Sequence, residues 1–323
     1  MTINTFRRAL LAACLASAAS AAWAQGAFPS KNLTFIVPFA AGSATDLLAR
    51  AIGQSVTEQT KQPVVVDNKA GGGGQIAASA AARAAADGYT VLITTNTTQS
   101  ANPHLYKKLS YDPVKDFVPV SGLGKGGQVL VVRPDAPYKT VADLVAFAKK
   151  NPGKLTFGSG SSSSRVAGEM LKQLAGVDIL HVPYKSNPMA LTDVLGGQID
   201  FMITDTATGA PQVKAGKLRA LGVSTAKRMA LLPDVPTIDE AGVKGYEMGF
   251  WFAAYVPAGT PPAVVSRLNE LIVAATRSAP ARAYYESSGV EAWSTTSDEL
   301  GKFQASDTVK WGRVVKAAGI EPE

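Results

Sequence analysis

From residue 25 onward, short β-rich runs alternate with amphipathic stretches at spacings typical of βα units. Leu33 to Val37 reads as a strand, and Thr45 to Val56 as a helix with Leu47, Leu48, Ala51, Ile52 and Val56 along one side. Val64 to Val66 and Thr90 to Thr94 read as the next strands. Between them lies an alanine-rich helix, Gln75 to Ala86, stopped by Asp87-Gly88. A second series opens with strand Val129 to Val132. Its first helix starts at Thr140, whose T-x-x-D spacing to Asp143 resembles a capping box, and Asn151-Pro152-Gly153 stops it. There follow strand Leu155 to Gly158, helix Val166 to Ala175, strand Ile179 to Val182, a helix begun by Asn187-Pro188, and strand Asp200 to Thr204. Pro211 is expected near the start of another short helix and Gly216 near its end, before strand Leu218 to Val223. Alternation of this kind predicts largely parallel sheets. Two such series with a returning C-terminal stretch predict an α/β protein of two doubly wound lobes, the chain crossing between them near residues 121 to 128 and 245 to 257. Lobe 1 is expected to hold 25–124 and 248–323, and lobe 2 to hold 125–247.

The first residues carry a different pattern. Arg7 and Arg8 form a basic start, Ala9 to Ala21 is uncharged, and Ala22-Trp23-Ala24 has the small-x-small form of a cleavage site. Residues 1–24 therefore read as a signal peptide for general secretion, and the apolar run is shorter than the roughly 20 residues of a membrane span. Leu11-Ala12-Ala13-Cys14 also spells a lipoprotein box, but only five residues separate Arg8 from Cys14. Removing the signal leaves 299 residues without cysteine, so disulfides, thiol chemistry and cysteine metal sites drop out. That length exceeds the usual single core, which agrees with two lobes. The formal charge falls from +7 to +5, with 30 basic and 25 acidic residues. Basic pairs such as Lys107-Lys108 and Lys149-Lys150 are scattered, without interleaved aromatics, which argues against nucleic acid.

Candidate chemistry lies in three strand-to-helix loops rich in small polar residues. These are Phe39 to Thr45 (with Ala41, Gly42, Ser43 and Ala44), Thr95-Asn96-Thr97-Thr98-Gln99, and Ser159 to Ser164 (with Ser161 and Ser162). Such loops sit at the carboxyl ends of strands, where open α/β sheets bind ligands. Each leads into a helix whose free N–H groups attract an anion, and the hydroxyls add neutral donors. Taken singly, any of these serines or threonines is equally a helix cap or turn residue. Asp205 and Thr206 occupy the corresponding place after a later strand. The cluster Phe250-Trp251-Phe252 is either core packing or a pocket wall, with Trp251 the candidate contact. Catalytic alternatives fare badly: His104 and His181 belong to no nucleophile or metal pattern, and there is neither a G-x-S-x-G elbow nor a P-loop. Gly72 to Ala77 matches G-x-G-x-x-A, but the acidic residue that should follow is missing, since Asp87 comes too early. No enzyme activity, cofactor or metal is expected.

At the stretches Val37-Pro38-Phe39 through Asp46, QPVVVDN from Gln62, DGYT from Asp87, NPHLY from Asn102, YDPVKDF from Tyr111, HVPYK from His181, LTDVLGGQID from Leu191, LPDVPT from Leu232 and PAGTP from Pro257, the chain resembles the tripartite tricarboxylate transporter receptor, or Bug, family. The matches are collinear over nearly the whole mature chain. The resemblance implies a periplasmic, type II-like binding protein that closes on a small carboxylate, a dicarboxylate or an aromatic carboxylate included. It would act as a monomer without cofactor and deliver its ligand to membrane permease subunits. A ligand sensor that presents its closed form to a signalling protein is the alternative. Tyr184, in the HVPYK run, joins the candidate contacts. Two departures bear on specificity. Ala40-Ala41-Gly42-Ser43 stands where members often carry Pro-Pro-Gly-Gly, and Arg165 stands where His often opens the helix. Arg165 could clamp a second carboxylate with its planar fork, or face solvent.

Overall fold

A sixteen-residue strand, β4 (Phe117–Val132), ties the molecule together. The computed structural model describes residues 28–323, so the expected signal peptide and its cleavage site lie outside the described residues. Before β4 come β1 (Leu33–Val37), α1 (Ala44–Thr60), β2 (Val64–Asn68), α2 (Gln75–Ala82), β3 (Thr90–Thr95), a π-helical turn over Thr97–Ala101 and the short α3 (Asn102–Leu105). After it come α4 (Val141–Lys150), β5 (Thr156–Ser159), α5 (Ser162–Ala175), β6 (Leu180–Pro183), α6 (Asn187–Leu195), β7 (Phe201–Asp205), α7 (Thr206–Lys214) and β8 (Arg219–Val223). The chain returns through β9 (Gly249–Pro257), α8 (Pro262–Thr276), α9 (Ala279–Ser288), β10 (Glu291–Ala292) and α10 (Ser297–Ala317). The sheet order is β2-β1-β3-β9-β4-β7-β5-β6, with β8 and β10 also pairing with β4. Within each lobe the βα strands run parallel, β1 with β2 and β3, and β5 with β6 and β7. The crossing strands pair antiparallel.

β4 changes partner in mid-strand. From Phe117 to Gly127 it lies along β9, and from Gln128 to Val132 along β7, Gln128 opposite Asp205. The sequence pattern shows only Val129 to Val132 as strand, because glycines at 122, 124, 126 and 127 interrupt the preceding alternation. They are there for close packing. A Cβ on Gly122 would strike the Trp293 ring, and one on Gly126 the Phe250 ring.

Several helix boundaries shift for local reasons. α1 starts one residue earlier than its pattern, because Ser43 caps it by accepting from the Asp46 amide at 3.3 Å. The capping box of Thr140 and Asp143 on α4 forms as its spacing predicts. α2 ends at Ala82 rather than Ala86, since the chain must turn for the Tyr89 carbonyl to meet the Thr34 amide at 2.8 Å in the sheet. Pro211 lies inside α7, not near its start. Asp205 caps that helix at Thr208, so the helix begins five residues before the proline, which removes one internal hydrogen bond.

Burial supplies the stability. In lobe 1, Phe35 and Val37 of β1 pack with Leu48 and Ile52 of α1 and Phe252 of β9. In lobe 2, Phe157, Phe201, Ile203 and Leu171 form a core that also takes in Ala101 and Leu105 from the segment after β3, and Trp311 and Val315 from α10. The two lobes are therefore joined by apolar contact as well as by strands.

Candidate functional site

A cleft of about 370 Å³, counting space open to solvent, lies where β4 changes partner. Phe39, Ser43, Ala44, Thr95, Gln128, Ser161, Ser163, Asn187, Asp205, Phe250 and Phe252 line it. Every one sits at the carboxyl end of a strand, at a helix start, or on the crossing strands. The cap reading and the ligand reading of the small polar residues hold together here. Ser43 accepts from the Asp46 amide at 3.3 Å, Thr95 from the Thr97 amide at 3.1 Å, and Ser161 from the Ser164 amide at 3.2 Å. A hydroxyl that accepts from the backbone keeps its own hydrogen to donate. The cleft thus gathers hydroxyl donors beside the N-termini of α1 and α5, where the helix dipole favours negative charge. Among the described residues, no lysine or arginine lines it. Phe39, Phe250 and Phe252 provide apolar walls.

Of the residues expected from sequence, Phe39, Ser43, Ala44, Thr95, Ser161 and Asp205 meet in this cleft. The others are used elsewhere. Ala41 is exposed, and the Gly42 amide donates to Asp46 at 2.9 Å, closing the loop onto its own helix. Thr45 is buried in α1. Burial raises the Asp46 carboxyl, but the bonds from Arg50, Gly42 and Asn68 outweigh it and leave it below its ordinary range. Asn96, Thr97 and Thr98 are buried at the start of the π turn, where the Asn96 side-chain Oδ1 accepts from the Trp251 amide at 3.5 Å and Thr98 shares a 2.6 Å hydroxyl contact with Thr94. Ser159 bonds His181 at 2.7 Å, Ser162 donates to Asn102 at 2.8 Å, and Ser164 donates to the Ile203 carbonyl. Tyr184 donates to Asp193 at 2.6 Å; desolvation, then that carboxylate, pushes its hydroxyl up to about 12. Thr206 opens α7 with its hydroxyl buried and unpartnered.

Two sequence candidates change role. Arg165 does not line the cleft; its guanidinium pairs with Glu323 at 2.8 Å. Trp251 points to the opposite face of β9 from Phe250 and Phe252, as the two-residue period of a strand requires. Its indole donates to Asp307 at 2.7 Å and its ring packs against Trp293 and Phe303. The aromatic run was visible, but its register was not. Ser163 lay within the serine run and Asn187 at a visible helix start, whereas Gln128 carried no local signal. The histidines are structural: His104 bonds the Thr308 carbonyl at 2.8 Å, and His181 stacks beside Phe157. At the glycine run, added side chains on Gly73 and Gly74 would overlap Tyr106 and Thr98. Packing accounts for those two glycines.

Two α/β lobes, crossing strands between them and a polar cleft at the carboxyl strand ends define a solute-binding protein. The chain belongs to the tripartite tricarboxylate transporter family receptors, whose sequence profile matches residues 48–320. Among solved structures it is similar to Rpa4515 of R. palustris with adipate, at 36% identity and a TM-score of 0.88, over 92% of this chain and 100% of that one. It is similar to the periplasmic binding protein BugD at 33% identity and a TM-score of 0.88, over 92% and 100%. MatC from Rhodopseudomonas palustris with bound malate matches at 30% identity and a TM-score of 0.85, over 89% and 100%.

Proposed function

We propose that this chain is a periplasmic receptor that captures a small carboxylate between its lobes and delivers it to the permease subunits of a tripartite tricarboxylate-type transporter. The observation that carries this reading is the convergence of the Ser43, Thr95 and Ser161 hydroxyls in one cleft. Each accepts from a backbone amide; Ser43 and Thr95 keep their hydrogens to donate, and Ser161 and Ser163 share a 3.2 Å hydroxyl pair that leaves one hydrogen between them for a ligand. Neutral donors and helix N-termini suit an anion that must later be released. The adipate and malate held by similar proteins support a carboxylate. The receptor acts as a monomer, binds without turnover, and reaches the periplasm by cleavage after Ala24. Closure of the lobes, favoured by a ligand that contacts both, is the signal a permease reads.

A thermal-shift panel of mono-, di- and aromatic carboxylates tests the binding step. A true ligand at ~100 times its dissociation constant stabilises the fold by roughly 2.7 kcal/mol. A panel in which amines or sugars raise the melting temperature and no carboxylate does would overturn it. Ligand recovered chemically unchanged after long incubation is expected, and copurification with a permease tests delivery.

A further inference from the structure

The cleft holds one polar pair that anion capture leaves unused. Gln128 and Asp205 are register partners across the antiparallel β4–β7 pair, so their side chains leave the sheet on the same face, and both line the cleft. Gln128 is 1% exposed, and its Oε1 has no partner. Asp205 accepts from the Thr208 amide at 2.8 Å through Oδ1, and from Asn187 at 2.9 Å and Thr204 at 3.4 Å through Oδ2. A carboxylate has about four acceptor positions, so Oδ1 keeps one. Asn187 is fixed in place, since its own oxygen accepts from the Gly160 amide at 2.9 Å. At the junction of the two lobes, an anion site thus contains two acceptors, the charged Asp205 and the unpartnered Oε1 of Gln128, with the Gln128 Nε2 as the donor beside them.

This arrangement discriminates. A second carboxylate oxygen against Asp205 would be repelled, and a methylene there would leave both acceptors desolvated and unpaired, a cost that polar sites use to reject analogues lacking a donor. We propose, building on the carboxylate reading, that Gln128 and Asp205 form a specificity subsite selecting a carboxylate that bears a hydrogen-bond donor on a neighbouring carbon, a hydroxyl or an ammonium group. The donors of the three loops hold the carboxylate, and the donor substituent turns toward the β4–β7 junction. An ammonium group satisfies both acceptors and a hydroxyl only one, so the amino compound is the tighter of the two.

Calorimetric titration of the mature chain with two matched sets tests this: succinate, malate and aspartate, and phenylacetate, mandelate and phenylglycine. Within the set that fits the cleft, a donor-bearing member should bind about tenfold tighter, or more, than the plain acid. Gln128→Leu should cut that advantage severalfold, read as the ratio of the donor-bearing acid's affinity to the plain acid's in the same protein. It is the variant of choice because the Gln128 Oε1 has no partner to lose, whereas Asp205 caps α7. A merely structural effect would weaken all three compounds together. A plain acid that binds as tightly as both substituted partners, or an advantage that survives in Gln128→Leu, overturns the subsite and leaves the carboxylate reading standing. Binding by none of the six in a chain that does bind a carboxylate without a donor substituent from the thermal-shift panel overturns the subsite alone, and binding of no carboxylate at all overturns both.

Discussion

Replacing Gly160 with alanine tests whether the cleft depends on close approach between its loops. A Cβ at this position would overlap the Ser186 carbonyl carbon and the Asn187 amide nitrogen, backbone atoms that cannot swing aside. Non-bonded carbons need roughly 3.5 Å, so the 186–187 segment has to retreat by on the order of 1 Å. That retreat breaks the 2.9 Å bond from the Gly160 amide to Asn187, and Asn187 is what holds Asp205 on its Oδ2 side. Overpacking costs about 1–3 kcal/mol, and an orphaned buried amide about 1–3 kcal/mol more. The expected loss is therefore about 2–6 kcal/mol, a large share of a typical stability of about 5–15 kcal/mol. Urea unfolding followed by circular dichroism measures it, and titration with a bound carboxylate should show weakened affinity in any fraction that folds. Gly176→Ala is the control. Gly176 ends α5 at φ +60 with nothing within 4 Å of an added Cβ, so it costs only the left-handed strain of about 1–2 kcal/mol and leaves binding intact. A Gly160→Ala protein within about 0.5 kcal/mol of wild type, the usual range of a neutral surface change, and with unchanged affinity, refutes this account of the loop.

Three further outcomes are expected. Ser43→Ala should weaken carboxylate binding by about tenfold or more, through loss of a hydrogen bond to a charged group, and lower stability by about 0.5–1 kcal/mol through loss of the cap; Thr98→Val, whose hydroxyl bonds Thr94, should affect stability and leave affinity nearly unaltered in the same titration. Arg165→Gln should leave the preference between mono- and dicarboxylates unchanged, since its partner is Glu323; a lost dicarboxylate preference in competition titrations would return Arg165 to the site. Burial first, and then Arg165, lowers the His181 imidazole to about 4, against an unfolded value near 6.5. The folded state then binds fewer protons than the unfolded one below pH 6.5, so this contribution to stability is full above 6.5 and declines until about pH 4. His181→Gln should flatten that part of a stability–pH curve measured by chemical unfolding, and an unchanged slope counts against the assignment.

Local pattern carried much of this protein. Two-residue and 3.6-residue periods are properties of the backbone, so β1, β3, β5 and β7 and the helices after β1 and β5 were legible, as was the capping box of Thr140. The collinear family stretches were also present in the sequence, and with them the expectation of a two-lobed carboxylate receptor. The loops that build the cleft were visible as runs of small polar residues, because a helix start needs such residues whether or not a ligand is present. Which of those residues face the cleft was decided only by packing. Ser161 and Ser163 turn inward while Ser162 and Ser164 serve Asn102 and Ile203, and the register of β9 sends Phe250 and Phe252 to the cleft and Trp251 away. Gln128 became a site residue because β4 passes from β9 to β7 at that point, and Arg165 left the site because Glu323, 158 residues away, meets it. Those outcomes depend on contacts between distant segments, and a single chain read in order holds no record of which segments will touch.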